Sequence, residues 1–130
     1  MIPYLSAEHL ASVHATHVGT GHAWAAVVHS PNGSRTASGT LPAATEGEAL
    51  FTAFDAALGL LPPKADAYVI LPSATNAPFD LVAKVAAAIA SRPGRTECYP
   101  DARHLGDAAA PLAEAARSLA EATAQGDGHH

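Results

Sequence analysis

The chain has 130 residues, enough for one domain around a single core but hard to divide into two. Hydrophobic residues make up 48% and charged residues 15%, which excludes a charge-dominated disordered chain, and no apolar run approaches the ~20 residues that span a membrane. The formal charge is -5, so the chain lacks the excess of basic residues that binding to nucleic-acid backbones requires. Cys98 is the single cysteine, which excludes an internal disulfide and a multi-cysteine zinc site.

Three strands are predicted in the first half of the chain. Residues 9–16 alternate small with larger side chains, residues 23–29 contain Trp-Ala-Ala-Val-Val, and residues 34–40 are rich in serine and threonine. Gly19 and Gly21 mark the first bend, and Asn32-Gly33 is a hairpin signal because both residues accept positive φ. The pattern predicts an antiparallel meander.

A helical period follows the third predicted strand. Thr45 and Glu48 have the spacing of a capping box, and apolar residues then recur at helical spacing until Pro62-Pro63 stops the run. Beyond the prolines, the predicted elements alternate between strand and helix, at residues 67–71, 77–91, 95–99 and 107–124. The predicted class is α/β, with a mixed sheet, the order β-β-β-α-β-α-β-α, and helices on both faces.

The two ends of the chain bear on its domain limits and its location. We predict one domain over residues 1–125 and interpret residues 126–130, which end in His129 and His130, as a flexible tail or the remnant of a purification tag. The first residues have no basic region ahead of an apolar stretch, so we expect no secretory signal and a cytoplasmic protein.

Three local patterns, together with this order of elements, resemble the ribonuclease H family. Residues 15–17 and 21–28 are similar to its opening Thr-Asp strand and its second strand, which has Gly, aromatic, Ala and Val residues. Glu46 followed by Ala49, Ala53 and Ala56 is similar to its first helix. Residues 110–120, Ala-Pro-Leu-Ala-Glu-Ala-Ala-Arg-Ser-Leu-Ala, resemble a closing helix that in the family runs His-Pro-Leu-Asn-Glu-Ala-Ala-Asp-Arg-Leu-Ala.

The resemblance implies four positions for chemistry. The family uses an Asp-Glu-Asp-Asp set to hold two divalent metal ions that activate water and stabilise the leaving group. Matched position by position, the first aspartate falls on His17, the glutamate is Glu46, the third acid falls on Ala74, and the last falls on Arg117. An alanine supplies no ligand and an arginine supplies a positive charge, so the resemblance implies a site that has lost two-metal catalysis.

Alternative interpretations exist for three of these side chains. Arg117 is either a solvated surface residue or a counter-charge that points toward Glu46 in place of the metals. Glu48 is interpreted as the acid that closes the helix cap, which leaves Glu46 as the inward one. A zinc site at His14 and His17 is disfavoured, because a spacing of three sends strand side chains to opposite faces.

The leading functional hypothesis is a catalytically degenerate ribonuclease-H-like protein that acts as a binding or regulatory module and holds no cofactor. Its net acidity favours a protein partner or a second copy over nucleic acid, with an RNA/DNA hybrid kept as an alternative that is bound without being cut. The alternative enzyme is an RNA/DNA-hybrid nuclease in which Glu46, His17 and a displaced Asp101 or Asp107 hold Mg²⁺ or Mn²⁺.

Overall fold

The computed structural model describes residues 9–31, 33–72, 79–103, 105 and 109–127. Within them the chain forms an α/β fold of five strands and three helices, in the order β1 (His9–Val18), β2 (Gly21–Ser30), β3 (Gly33–Leu41), α1 (Glu46–Leu60), β4 (Ala67–Ile70), α2 (Phe79–Ala90), β5 (Thr96–Tyr99) and α3 (Ala109–Asp127). The predicted α/β class is confirmed.

The five strands form one mixed sheet in the order β3-β2-β1-β4-β5. The pairs β1/β2 and β2/β3 are antiparallel, which confirms the predicted meander, while β1/β4 and β4/β5 are parallel. Strand β1 therefore lies at the centre of the sheet, between an antiparallel half and a parallel half.

The two hairpins use their glycines differently. Gly19 has a φ of +56° in the turn between β1 and β2, as the first predicted bend requires. Ser30 pairs with Gly33, so the second connection consists of residues 31–32 and Gly33 is the first residue of β3. Gly33 has a φ of +133°, a conformation that side chains disfavour, and Asn32 lies outside the described residues.

Helix α1 begins with the capping box that the sequence predicts. The backbone N–H of Glu48 donates to Oγ1 of Thr45 (3.2 Å), and the backbone N–H of Thr45 donates to Oε1 of Glu48 (3.0 Å). The cap bonds lower the pKa of the Glu48 carboxyl, because they stabilise its charged form. Glu48 is thus a capping residue, as predicted, and the helix ends at Leu60, ahead of Pro62-Pro63.

The core separates into clusters that follow the alternation of the strands. The largest contains Val13 and Ala15 of β1 together with Phe54 of α1, which is fully buried. A second contains Val27 of β2 with Leu112 and Ala116 of α3, and Leu10 of β1 packs against it. A third joins Tyr68 and Ile70 of β4 to Leu105 and Ala109 near the start of α3. Both α1 and α3 therefore contribute to the burial of β1.

Helix α3 extends further than the sequence suggests. It continues to Asp127, so residues 126 and 127, which the sequence analysis assigns to a tail, belong to the helix. The predicted start at Asp107 lies outside the described residues, as do His129 and His130. Among the described helices, none has the length and apolar character needed to cross a membrane.

Arg92 joins three parts of the fold beyond the end of α2. Its Nη1 donates to Oγ1 of Thr96 (2.6 Å), and its Nη2 donates to the carbonyl oxygens of Pro62 (2.8 Å) and Ala65 (3.0 Å). These bonds connect the α1–β4 segment and β5 to the end of α2. The Nε of Arg92 is buried and has no partner within the described part of the chain. Arg92 is therefore a structural clamp that the sequence analysis did not identify.

Candidate functional site

Glu46, the acid retained in the resemblance, is the first residue of α1 and is partly exposed. The segment that leads into it is anchored to the sheet, because Nδ1 of His22 donates to the carbonyl oxygen of Ala44 (2.9 Å). His22 is the cross-strand partner of His17. The start of α1 is therefore held close to the end of the β1/β2 hairpin.

His17 lies at the exposed end of β1. Its ring packs edge to face against His22, with ring centroids 5.3 Å apart. Strand β1 continues to Val18, so it has not ended between His14 and His17, and their spacing of three sends the two side chains to opposite faces. One ion ligated by both is excluded by this geometry. The match of His17 to the first aspartate of the family stays a prediction, because no contact of the structure tests it.

His14 is a β1 residue on which Glu46 and Arg117 act electrostatically. It is partly buried and shares the face of β1 that carries Leu10, which packs against the α3 cluster. Burial lowers the pKa of His14, and the positive charge of Arg117 acts in the same direction. The carboxylates of Glu121, Glu46 and Glu114 act to raise that pKa. The side chains that interact electrostatically here form the His14 cluster, which we define as His14, Glu46, Glu114, Arg117 and Glu121.

Arg117 makes its resolved hydrogen bonds along its own helix. The guanidinium donates to both carboxylate oxygens of Glu114, with Nε 3.1 Å from Oε2, and Nη1 donates to Oε2 of Glu121 (3.1 Å). These bonds raise the pKa of Arg117, the bond to Glu114 most strongly. The side chain is 45% exposed, so its outer face meets solvent. A direct contact between Arg117 and Glu46 stays a prediction.

The remaining predicted positions are only partly visible. Ala74 and Asp107 lie outside the described residues. Ser12 of β1 pairs with Ile70 at the end of β4, so the chain that leads toward Ala74 leaves the sheet near the level of His14. Asp101 follows β5 and accepts hydrogen bonds from the backbone N–H (2.9 Å) and Nη2 (2.8 Å) of Arg103. The Asp101 carboxylate is therefore already engaged in hydrogen bonds within this loop.

The His14 cluster combines one imidazole and one guanidinium with three carboxylates. Two of those carboxylates, Glu114 and Glu121, are engaged by Arg117. Within the described part of the chain, no group of three or more His, Cys, Asp and Glu side chains has the arrangement of a metal site. The chemistry that this arrangement supports is proton uptake at His14 among fixed charges, at the surface between β1, α1 and α3.

Other candidate features lie away from this cluster. A cavity of about 390 Å³ is lined by Leu41, Phe51, Leu81 and Lys84 among others, and one of about 540 Å³ lies between the β2/β3 hairpin and the end of α1. No member of the His14 cluster lines either one. Burial raises the pKa of the partly buried Cys98 thiol to about 11, which disfavours the reactive thiolate form.

Sequence reasoning named His14 only as a partner of His17 in a metal site. The signal that could have found its place is the alternation of β1, since Leu10, Ser12 and His14 share one face.

A scan against models of protein families finds no match, and a search of curated proteins finds no relative. The case for a family and a function therefore depends on the fold and on the His14 cluster.

Proposed function

We propose that this chain is a ribonuclease-H-like domain that has lost two-metal nuclease chemistry and acts as a binding or regulatory module. The order of elements supports the fold assignment, as does a sheet whose central β1 joins an antiparallel meander to two parallel strands. We further place α1 and α3 on opposite faces of that sheet. Val13 clusters with α1, while Val27 clusters with α3, and His14, which follows Val13, is on the face of Leu10.

The proposed loss of nuclease chemistry rests on which charged side chains surround His14. The family resemblance places carboxylates on β1, α1 and the closing helix, where they would hold Mg²⁺ through oxygen ligands. Of the described members of this set, Glu46 alone is an acid, and α3 contributes the cation Arg117. Imidazole and guanidinium groups do not fit a pair of magnesium ions, so we derive no reaction step through metals.

The carboxylates that remain on α3 do not restore the set. Glu114 and Glu121 accept the hydrogen bonds of Arg117, and recruiting either to a metal would break an ion pair and bring the guanidinium close to a second cation. The net charge of -5 favours a protein partner or a second copy over nucleic acid. Binding, and regulation of what is bound, are the roles that these residues support best.

The experiment is cleavage of an RNA/DNA hybrid by the purified chain in Mg²⁺ and, separately, in Mn²⁺. We expect no cleavage in either metal. Glu46→Ala tests the retained acid, and Asp55→Ala, which removes an exposed acid from the same helix, is the matched control. Cleavage that Glu46→Ala abolishes and Asp55→Ala preserves would contradict the proposal and support the nuclease with an altered metal site.

Binding of the hybrid without cleavage is tested separately. A titration of the uncleaved hybrid at low and at physiological salt measures both affinity and salt dependence. We expect no saturable binding at physiological salt, because the chain lacks a basic footprint. Tight binding with a steep salt dependence would replace the protein partner in the proposal with the hybrid duplex.

A further inference from the structure

Strand β3 is an open edge of the sheet. It pairs with β2 on one side, and no described strand pairs with the other. It spans nine residues, has an unbroken register with β2, and carries one charged side chain, Arg35, with no lysine and no proline. Edge strands of this length are normally shortened, bulged, charged or covered, because every second residue turns its N–H and C=O outward. Among the residues that the structure describes, Arg35 is the one such protection of this edge.

The two faces of β3 have different chemistry. Ser34, Thr36, Ser38 and Thr40 share one face, and the first three are exposed. The other face carries Arg35, Ala37, Gly39 and Leu41. Trp24 of β2 is the cross-strand partner of Gly39, and its indole lies over that glycine, since a Cβ built there would be 3.1 Å from Nε1 of the ring. The glycine thus leaves a partly exposed indole next to the open edge.

We propose that β3 pairs antiparallel with β3 of a second copy of this chain, about a two-fold axis through Ala37, so that two sheets become one. The proposal names the partner for the binding role proposed above and rests on that role, but it uses a surface distinct from the His14 cluster. Ala37 is the midpoint of β3, so this register is the one that pairs all nine residues.

The side chains of β3 are complementary to themselves in this register. Thr36 faces Ser38 of the second copy, and Ser34 faces Thr40, which are cross-strand hydroxyl pairs of a favourable type. On the other face, Arg35 lies opposite Gly39 of the second copy, where its guanidinium reaches the indole of Trp24 in a cation–π contact that occurs twice by symmetry. Each copy supplies the cation that the other copy's open indole accepts.

Charge also favours a second copy over an acidic or basic partner. The chain as a whole is acidic, yet β3 contains no acid, so two copies that meet here do not oppose carboxylates. The register keeps the two Arg35 side chains from facing each other. A register centred on Arg35 would place them directly opposite, which is destabilising in a strand pair.

The test is sedimentation velocity of the full chain from about 1 μM to about 1 mM, a range that covers weak dimers. We expect concentration-dependent dimers, accompanied by a shift in the fluorescence of Trp24, the single tryptophan. Thr36→Lys/Ser38→Lys sets like charges opposite each other twice and should weaken the dimer by about tenfold or more. Thr36→Lys/Ser38→Glu sets opposite charges across the same pairs and should restore it.

Two controls complete the design. Ala83→Lys/Ala87→Lys adds the same charge at exposed positions of α2 and should leave dimerisation unchanged, and circular dichroism checks that each variant is folded. Arg35→Ala should weaken the dimer and remove the shift in tryptophan fluorescence.

Three results would overturn the proposal. Wild-type chain that stays monomeric throughout the range refutes it, and binding of a foreign extended peptide to that monomer would assign the edge to another protein. Dimers unaffected by Thr36→Lys/Ser38→Lys would place the interface elsewhere. A Lys/Glu variant as weak as the Lys/Lys variant would refute the register. None of these readouts depends on cleavage of a hybrid, so failure here is distinguishable from failure of the proposed function.

Discussion

The Arg92 clamp makes a quantitative prediction about the stability of the scaffold under the site. Arg92→Met keeps much of the apolar stem and removes three hydrogen bonds from a charged donor, to Thr96, Pro62 and Ala65. Thr96 is only 8% exposed, so its hydroxyl cannot be fully rehydrated, whereas Pro62 is exposed and its carbonyl can turn to water. Charge-assisted bonds contribute roughly 1.5–3 kcal/mol each, and we take the bond to the Thr96 hydroxyl near the top of that range. For the two backbone carbonyls we take the net loss near zero, on the assumption that water replaces the guanidinium as their donor.

The expected loss is therefore about 3 kcal/mol in the free energy of unfolding. An unfolding entropy of about 2.1 cal/mol/K for each of 130 residues converts this loss to a fall in Tm of about 11 °C. Urea unfolding followed by circular dichroism measures the first quantity, and a thermal scan measures the second.

Arg95→Met is the matched control for Arg92→Met. Arg95 is 76% exposed, and its Nε is 3.8 Å from the nearest carboxylate oxygen of Glu97, so removing the charge should cost no more than about 0.5 kcal/mol. Equal losses in the two variants, or a loss below about 1 kcal/mol in Arg92→Met, would refute the clamp and attribute the stability of this region to apolar packing alone.

Three further predictions concern single side chains. Thr45→Ala removes the cap of α1 and should lower stability by about 1 kcal/mol, whereas Thr52→Ala, which removes a hydroxyl within the same helix, should change it less. Because burial raises the Cys98 pKa to about 11 from 9.0, alkylation at pH 8 should be about a hundredfold faster in unfolded chain, and equal rates would contradict its burial. Burial lowers the His14 pKa from 6.5, so the unfolded chain binds the proton more readily and stability falls as the pH drops below about 6.5. His14→Gln should flatten that fall in urea titrations between about pH 7 and pH 5, and an unchanged slope would assign it to other histidines.

The elements of this fold follow from local patterns in the sequence. The capping box at Thr45 and the stop at Pro62-Pro63 define α1 within one residue, because both act through bonds and backbone restrictions of near neighbours. The β2/β3 hairpin was located by Asn32-Gly33 for the same reason, although Gly33 proved to be a strand residue that pairs with Ser30. Signals of this kind are complete within a few residues of the chain.

The candidate site could be predicted only in part, because its contacts are not local. The alternation of β1 determines that His14 and His17 face opposite ways. It does not say that Glu114, Arg117 and Glu121, about 100 residues later in the chain, act electrostatically on His14. The clamp of Arg92 was missed because two of its acceptors are backbone carbonyls, 27 and 30 residues away, which no side-chain pattern marks. The place of Glu46 at the start of α1 was predictable, and its neighbours were not.

The most direct test of the central claim is a crystal structure of this chain from crystals soaked in Mn²⁺, with anomalous diffraction measured to locate the metal. The claim is that the surface around Glu46, His14 and Arg117 holds too few free carboxylates to bind divalent ions. It predicts no anomalous peak within coordination distance of the Glu46 carboxylate. An ordered Mn²⁺ ligated by Glu46 and a second acid would contradict it.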